Sequence, residues 1–139
     1  MKLTSTNILL LVIRLILAYA FFSAGLMKLQ DISANADWFQ SVGIPVPTLN
    51  TYLSAGIEIA GAVFLFIGLW VRWTSVFLIF IMLVAIFTVH IGNGFSAKND
   101  GFEINLYYII LLLVLLLYGY GKYSLDTLFV QNKNITNNF

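Results

Sequence analysis

Residues 9–29 read LLLVIRLILAYAFFSAGLMKL. Apart from Arg14 the run is uncharged until Lys28, and about 20 such residues are what a helix needs to cross a ~30 Å hydrocarbon core. The rest of the chain has the same character. Of its 139 residues, 60% are hydrophobic and 9% charged, and the mean hydropathy of +0.93 lies far above that of soluble globular chains. Four apolar runs stand out, residues 8–27, 52–71, 75–91 and 104–120. They predict an all-α fold, an integral membrane four-helix bundle forming a single domain over residues 1–126, with an outer loop at 28–51 and a polar C-terminal tail at 127–139. Ser23, Ala24 and Gly25 are small residues of the kind found at signal cleavage sites. The first run is long for a secretory signal and has only Lys2 ahead of it, so it reads as a retained span.

Charge and cysteine content narrow the partners. A formal net charge of +1 offers no field for nucleic acid. With no cysteine there is no disulfide framework, thiolate metal site or thiol pair for electron exchange. The lone histidine lacks the spaced His/Glu partners of a metal site. Membrane lipids are the partner the composition demands.

Lysine and arginine set the expected orientation. Lys2, Arg72, Lys122 and Lys133 fall on the side of the two termini and the turn between the second and third runs, against Lys28 and Lys98 on the other, which predicts both termini in the cytoplasm. Trp70, Trp73, Tyr118, Tyr120 and Tyr123 suit an aromatic belt on that inner face. The stretch LWVRWTS leaves the second and third runs as antiparallel neighbours. Between the first and second runs, Trp38, Phe39, Val42 and Ile44 among polar residues suggest a short amphipathic piece on the outer surface, stopped at Gly43-Ile44-Pro45, and either a lid or an ordinary loop. The closing QNKNITNNF, residues 131–139, reads as disordered.

Steps of three and four from Arg14 reach Ala18, Phe21, Gly25 and Lys28, a stripe with two small residues that should face the bundle interior. Charges within a membrane are costly and mark sites, pathways or pairs. Glu58 lies about 9 Å into the second run from its outer end, His90 ends the third, and Glu103 opens the fourth. Side chains lean toward their helix N-terminus. Lys28 and His90 therefore lean inward and Glu58 outward, so the three can converge. Arg14 leans the other way, toward the inner surface, and either snorkels to head groups or bonds a buried carbonyl.

Each residue also has a plainer role. Lys28 can snorkel at a helix end; His90 can bond a carbonyl at the rim; Glu103 follows Asp100 at a capping-box spacing and suits the helix dipole. Glu58, with Gly56 and Ala60 in small-xxx-small spacing, is the hardest to set aside, because a buried glutamate must be paired, hydrogen-bonded or neutral. It reads as a functional group or as half of a specific ion pair with Lys28.

The ordered set GLMKL at 25–29, VGIPVP at 42–47, Glu58 in AGIEIAGAVFLFIGLWVRW, His90 in VHIGNGF, GFEINLYY at 101–108 and GYGKYSLD at 119–126 resembles the DoxX family of small four-helix membrane proteins over residues 8–126. The resemblance maps the family's pattern onto Arg14, Gly25 with Lys28, Glu58, His90, Glu103, and Ser124 to Asp126. It implies a bacterial cytoplasmic (inner) membrane protein tied to oxidoreductase systems, among them thiosulfate:quinone oxidoreductase, with a membrane or peripheral oxidoreductase as partner and a homo-oligomer as a further possibility.

Family membership does not fix an activity. A quinone site needs an apolar slot, aromatic walls and a tuned proton donor or acceptor at the head group. Lys28, Glu58, His90, Glu103 and Arg14 are the candidate polar cluster, and Tyr52 and Tyr107 the candidate aromatic wall. Lacking a haem ligand set, flavin motif or cysteine, the chain is expected to bind a quinone for a partner that carries the redox centre, with no covalent cofactor of its own. Two other readings stand beside this one: a non-catalytic assembly protein whose charges are internal ion pairs, and a carrier or sensor of a small lipid-like molecule.

Overall fold

The computed structural model of the chain describes residues 2–136, with side chains described over residues 4–131. All regular structure among the described residues is helical. Helix α1 covers Lys2–Gln30, α2 Ile32–Ser41, α3 Pro47–Ile67 and α4 Val71–Ala85. The last of these continues through one π-helical turn, Ile86–His90, into a 3₁₀ turn, Ile91–Asn93. Helix α5 covers Glu103–Tyr118 and α6 Leu125–Thr136.

Three stretches, Thr4–Gln30, Pro47–Ile67 and Val71–Asn93, are long and apolar enough to cross a membrane. The fourth expected span differs: α5 has 16 residues, about 24 Å at 1.5 Å per residue, short of a full crossing by its own length. It runs antiparallel along α4. At one end Arg72 Nη2 donates to the Leu117 carbonyl at 3.4 Å, and at the other Asn105 Nδ2 donates to Met82 Sδ at 3.5 Å. Helix α1 packs chiefly on α3, and Leu17, Phe21, Leu65, Leu78, Leu112 and Leu115 fill the common core. Outward faces carry large apolar side chains such as Ile16, Phe66, Phe77 and Ile110, the distribution a bilayer solvent imposes and water does not.

Several boundaries depart from the hydropathy reading. The second span ends at Ile67, not 71, and the next helix starts at 71, not 75. Gly68 (φ +73°) and Trp70 (φ +49°) both adopt left-handed backbone, and the Gly68 and Leu69 amides both donate to the Phe64 carbonyl, closing α3. Hydropathy does not register that turn, because Leu69 and Trp70 are as apolar as the helices they separate.

The segment expected as an outer loop, residues 28–51, is mostly helix. Helix α1 runs on to Gln30, and Asp31 caps α2 by accepting from the Ala34 amide at 3.0 Å. Ala36 and Phe39 of α2 are buried. Helix α2 stops at Ser41, in keeping with the expected break near Gly43 (φ +81°). Pro47 opens α3, where its missing N–H costs nothing.

The closing tail is also helical through Thr136, since Ser124 Oγ accepts from the Thr127 amide at 3.3 Å and starts α6. Residues 137–139 of the expected tail lie outside the described residues, as do the side chains of Lys2 and Lys133 used in the charge count.

Candidate functional site

Arg14, Ala18, Phe21 and Gly25 are all buried on one stripe of α1. At Gly25 a Cβ would lie 2.7 Å from Ile59 Cγ1 and 3.0 Å from the Ala55 carbonyl oxygen. The absent side chain lets α1 and α3 approach here. One turn further on, that approach brings Lys28 onto Glu58: Nζ donates to Oε1 at 2.7 Å and to Oε2 at 2.6 Å. Glu58 is 2% exposed, whereas the Lys28 side chain keeps 19%. An ammonium has three donors, and this geometry occupies two of them, on the partner with the more exposed side chain.

The face that buries Glu58 is Thr51, Ala55, Glu58, Ala62 and Leu65. Gly56 and Ala60, expected to make the small-residue contact, are exposed, and a Cβ on Gly56 would meet nothing within 4 Å. The packing register thus differs from the expected one by a single position, because Gly25 supplies the small residue from the α1 side.

The expected convergence of three residues is reduced to two. His90 ends the π-helical turn, and its Nδ1 lies 2.6 Å from the Asp100 carbonyl oxygen; the contacts of Lys28 and Glu58 do not include it. Asp100 is not the cap of α5. It takes φ +56° and closes a short 3₁₀ turn over Ala97–Asn99, while Phe102 holds the cap position. The Glu103 carboxylate accepts from the Ala97 amide at 2.9 Å and from the Tyr107 hydroxyl at 2.8 Å. His90 and Glu103 therefore fasten the loop over residues 94–102 to its flanking helices, with Tyr107 bonded to the Glu103 carboxylate. Tyr52 lies about half exposed on α3, with no contact to Tyr107 that would make the two one wall.

Arg14 is 1% exposed and its Nη1 donates to the Tyr120 carbonyl at 2.7 Å. Of the two readings of this residue the structure has the buried carbonyl, not the head groups. Its Nε has no protein partner. Gly68 is pressed against it: a Cβ there would sit 2.6 Å from Arg14 Nη1 and 2.5 Å from Ser124 Cβ. Beside them Asp126 accepts from the amides of Trp70 at 2.9 Å and Val71 at 3.2 Å, capping α4 from 55 residues away. Sequence reasoning singled out Ser124 to Asp126 only through the family resemblance, because the partner of such a cap lies in another helix.

Two apolar grooves run along the outward faces. One of about 370 Å³ separates α1 and α3 beside Tyr19, Phe22, Val63 and Phe66. Ala62, one turn from Glu58, is at its edge. The other, about 350 Å³, separates α3 and α4 beside Phe64, Trp70, Trp73 and Phe77. Among the described residues no group of three or more His, Asp or Glu side chains is placed to hold a metal ion.

Comparison with known proteins places the chain in a family. The DoxX family pattern matches residues 9–91, which takes in Arg14, Lys28, Glu58 and His90 and stops before Glu103 and Asp126. An uncharacterised protein of Haemophilus influenzae is 31% identical over 127 residues, 86% of this chain and 82% of that protein. A second uncharacterised protein of the same organism is 32% identical over 124 residues. A Bacillus subtilis protein named "Putative oxidoreductase CatD" is 32% identical over 90 residues, 65% of this chain and 66% of that one. No solved structure matches. With the family pattern over more than half of its length and a relative aligned along most of it, this helical membrane protein belongs to the DoxX family.

Proposed function

We propose that the chain is an accessory subunit of an oxidoreductase system in the bacterial cytoplasmic membrane, and that Lys28 and Glu58 together receive the head group of a quinone. The observation that carries this reading is the state of Lys28. Its ammonium is held by a buried carboxylate through two hydrogen bonds, and its third N–H remains at the less buried end of the pair. An ammonium in that position donates to a quinone carbonyl oxygen without leaving Glu58 unpaired. The Glu58 carboxyl can pass a proton to the head group when a partner oxidoreductase delivers electrons to the quinone, and take one back when the quinol is oxidised. The groove between α1 and α3 is apolar and lies a turn further along, so it suits a hydrocarbon tail. The name carried by the Bacillus subtilis relative points to the same class of chemistry.

The architecture that goes with this reading is a single four-span domain over residues 1–126. Helix α5 follows α4 from Met82 to Arg72, so if α4 crosses, α5 and its flanking residues cross with it and return the C-terminus to the side of the N-terminus. Lys28 and Lys98 then face outward and Arg72 and Lys122 inward.

The closed geometry of the pair favours a second reading. Both Glu58 oxygens are satisfied by Lys28, which is also what an internal strut of an assembly protein requires. Gentle purification from native membranes, with mass spectrometry of lipids, quinones and co-purifying proteins, separates the two. Quinone at stoichiometric amount in the wild type, lost in Glu58→Gln at equal protein abundance, supports the head-group site. Partner proteins without enriched quinone, and loss of those partners in Glu58→Gln, support the strut.

A further inference from the structure

Three hydroxyls along the spanning stretches turn back on their own helices. Thr51, Ser75 and Thr88 each donate to the carbonyl four residues earlier, at 2.9, 2.8 and 2.7 Å, which satisfies such a side chain locally. Thr74 does not do so. It is 5% exposed, and its hydroxyl has no hydrogen-bond partner among the described residues. Nor is its oxygen sealed in as Arg14 Nε is. It reaches a surface, and the surface that Thr74 lines is the groove of about 350 Å³ between α3 and α4. A donor left unpaired in apolar surroundings costs free energy, so the groove favours an occupant that brings an acceptor to this level.

We infer that this groove holds an acyl chain of a phospholipid, with Thr74 donating to the ester carbonyl that joins the chain to glycerol. Depth selects the ester. Trp70 and Trp73 border the groove at the start of α4 and are both exposed, and such amphipathic aromatics sit at the level of the head groups. Thr74 lies one turn beyond Trp70, about 4.5 Å into the apolar stretch that opens at Val71. That is the boundary between head groups and acyl chains, where the ester groups of a phospholipid lie. Past Thr74 the lining is hydrocarbon, with Phe77 on α4 and Ile57 and Phe64 on α3, so a single acceptor followed by an alkyl chain matches it. Glu58 turns instead toward Lys28 on α1, which keeps this lipid site separate from the proposed head-group site.

The full chain in mild detergent is titrated with a diacyl phosphatidylglycerol and with its diether counterpart, which has the same chains and head group but no ester carbonyl. Retained lipid is read by native mass spectrometry. The wild type should retain the diacyl lipid severalfold better than the diether. Thr74→Val, which keeps the shape and removes the donor, should retain the two alike. Ala60→Trp, which fills the groove, should also lose the diacyl advantage, and Val63→Trp in the groove between α1 and α3 should keep it. Equal retention of the two lipids by the wild type, or an ester preference that survives Thr74→Val, would overturn the inference. A lower unfolding midpoint for lipid-free Thr74→Val would do the same, since the hydroxyl would then serve the fold. So would a dimer of the chain, or a bound quinone, that Ala60→Trp abolishes, since another occupant would then hold the groove.

Discussion

Lys28 and Glu58 form a pair with unequal burial, and the inequality predicts unequal mutants. Lys28→Met strands a carboxylate that is 2% exposed, a change that costs on the order of 3–5 kcal/mol when a buried pair loses one partner. Glu58→Gln leaves a hydrogen-bonding side chain in place and a lysine able to reach toward the surface. Its unfolding midpoint in a detergent titration should fall by clearly less than that of Lys28→Met, and a reversed order would show that Glu58 does not need its partner. Gly25→Ala tests the contact that makes the pair. The new methyl meets Ile59 Cγ1 at 2.7 Å, and overpacking of that kind costs about 1–3 kcal/mol, so the same titration should register a loss that Gly56→Ala does not show. At this scale the sequence was readable where residue type and helical spacing suffice. The stripe from Arg14 to Lys28 and the reach of Lys28 to Glu58 follow from 3.6-residue periodicity and side-chain tilt, whereas for Arg14 the same reasoning leaves head groups and a buried carbonyl equally open. The separation of His90 from the pair does not follow, because it depends on a π-helical turn and on a loop carbonyl ten residues away.

Among the elements, α4 shows how far a local reading can fall short. Its start is set by a left-handed turn and by a cap donated from residue 126, neither of which alters hydropathy. Asp126→Ala removes that cap and should cost about 0.5–2 kcal/mol, the usual range for a lost N-cap. It also frees the first turn of α6, so protection of the Trp70 and Val71 amides from hydrogen exchange should fall together with protection of α6. Loss at α4 alone would mean that α6 is held by something other than this contact. Polar composition likewise hid α6. A helix secured at its first turn looks in sequence like the head of an Asn-rich tail. The break after α2 was legible because glycine and proline announce it.

For the whole molecule, composition alone established a helical membrane protein, since 60% hydrophobic residues leave few other outcomes. The number of crossings was harder to read, because α5 is helical over 16 residues where a crossing takes about 20. The antiparallel course of α4 and α5 leads to a topological prediction. In a cysteine-free chain, Ala34→Cys on α2 and Lys122→Cys after α5 should react with an impermeant maleimide from opposite sides of the membrane; reaction from the same side would remove one crossing from the account. Membership of the DoxX family gives this architecture a lineage without assigning it chemistry, so the functional claim rests on the pair. Its most direct test is photolabelling of the chain in proteoliposomes with a short-chain azidoquinone, followed by peptide mapping. The account predicts labelling of peptides that contain Lys28 or Glu58, displaced by excess unlabelled quinone and lost in Glu58→Gln. Labelling that is absent from these peptides, or that unlabelled quinone does not displace, would contradict it.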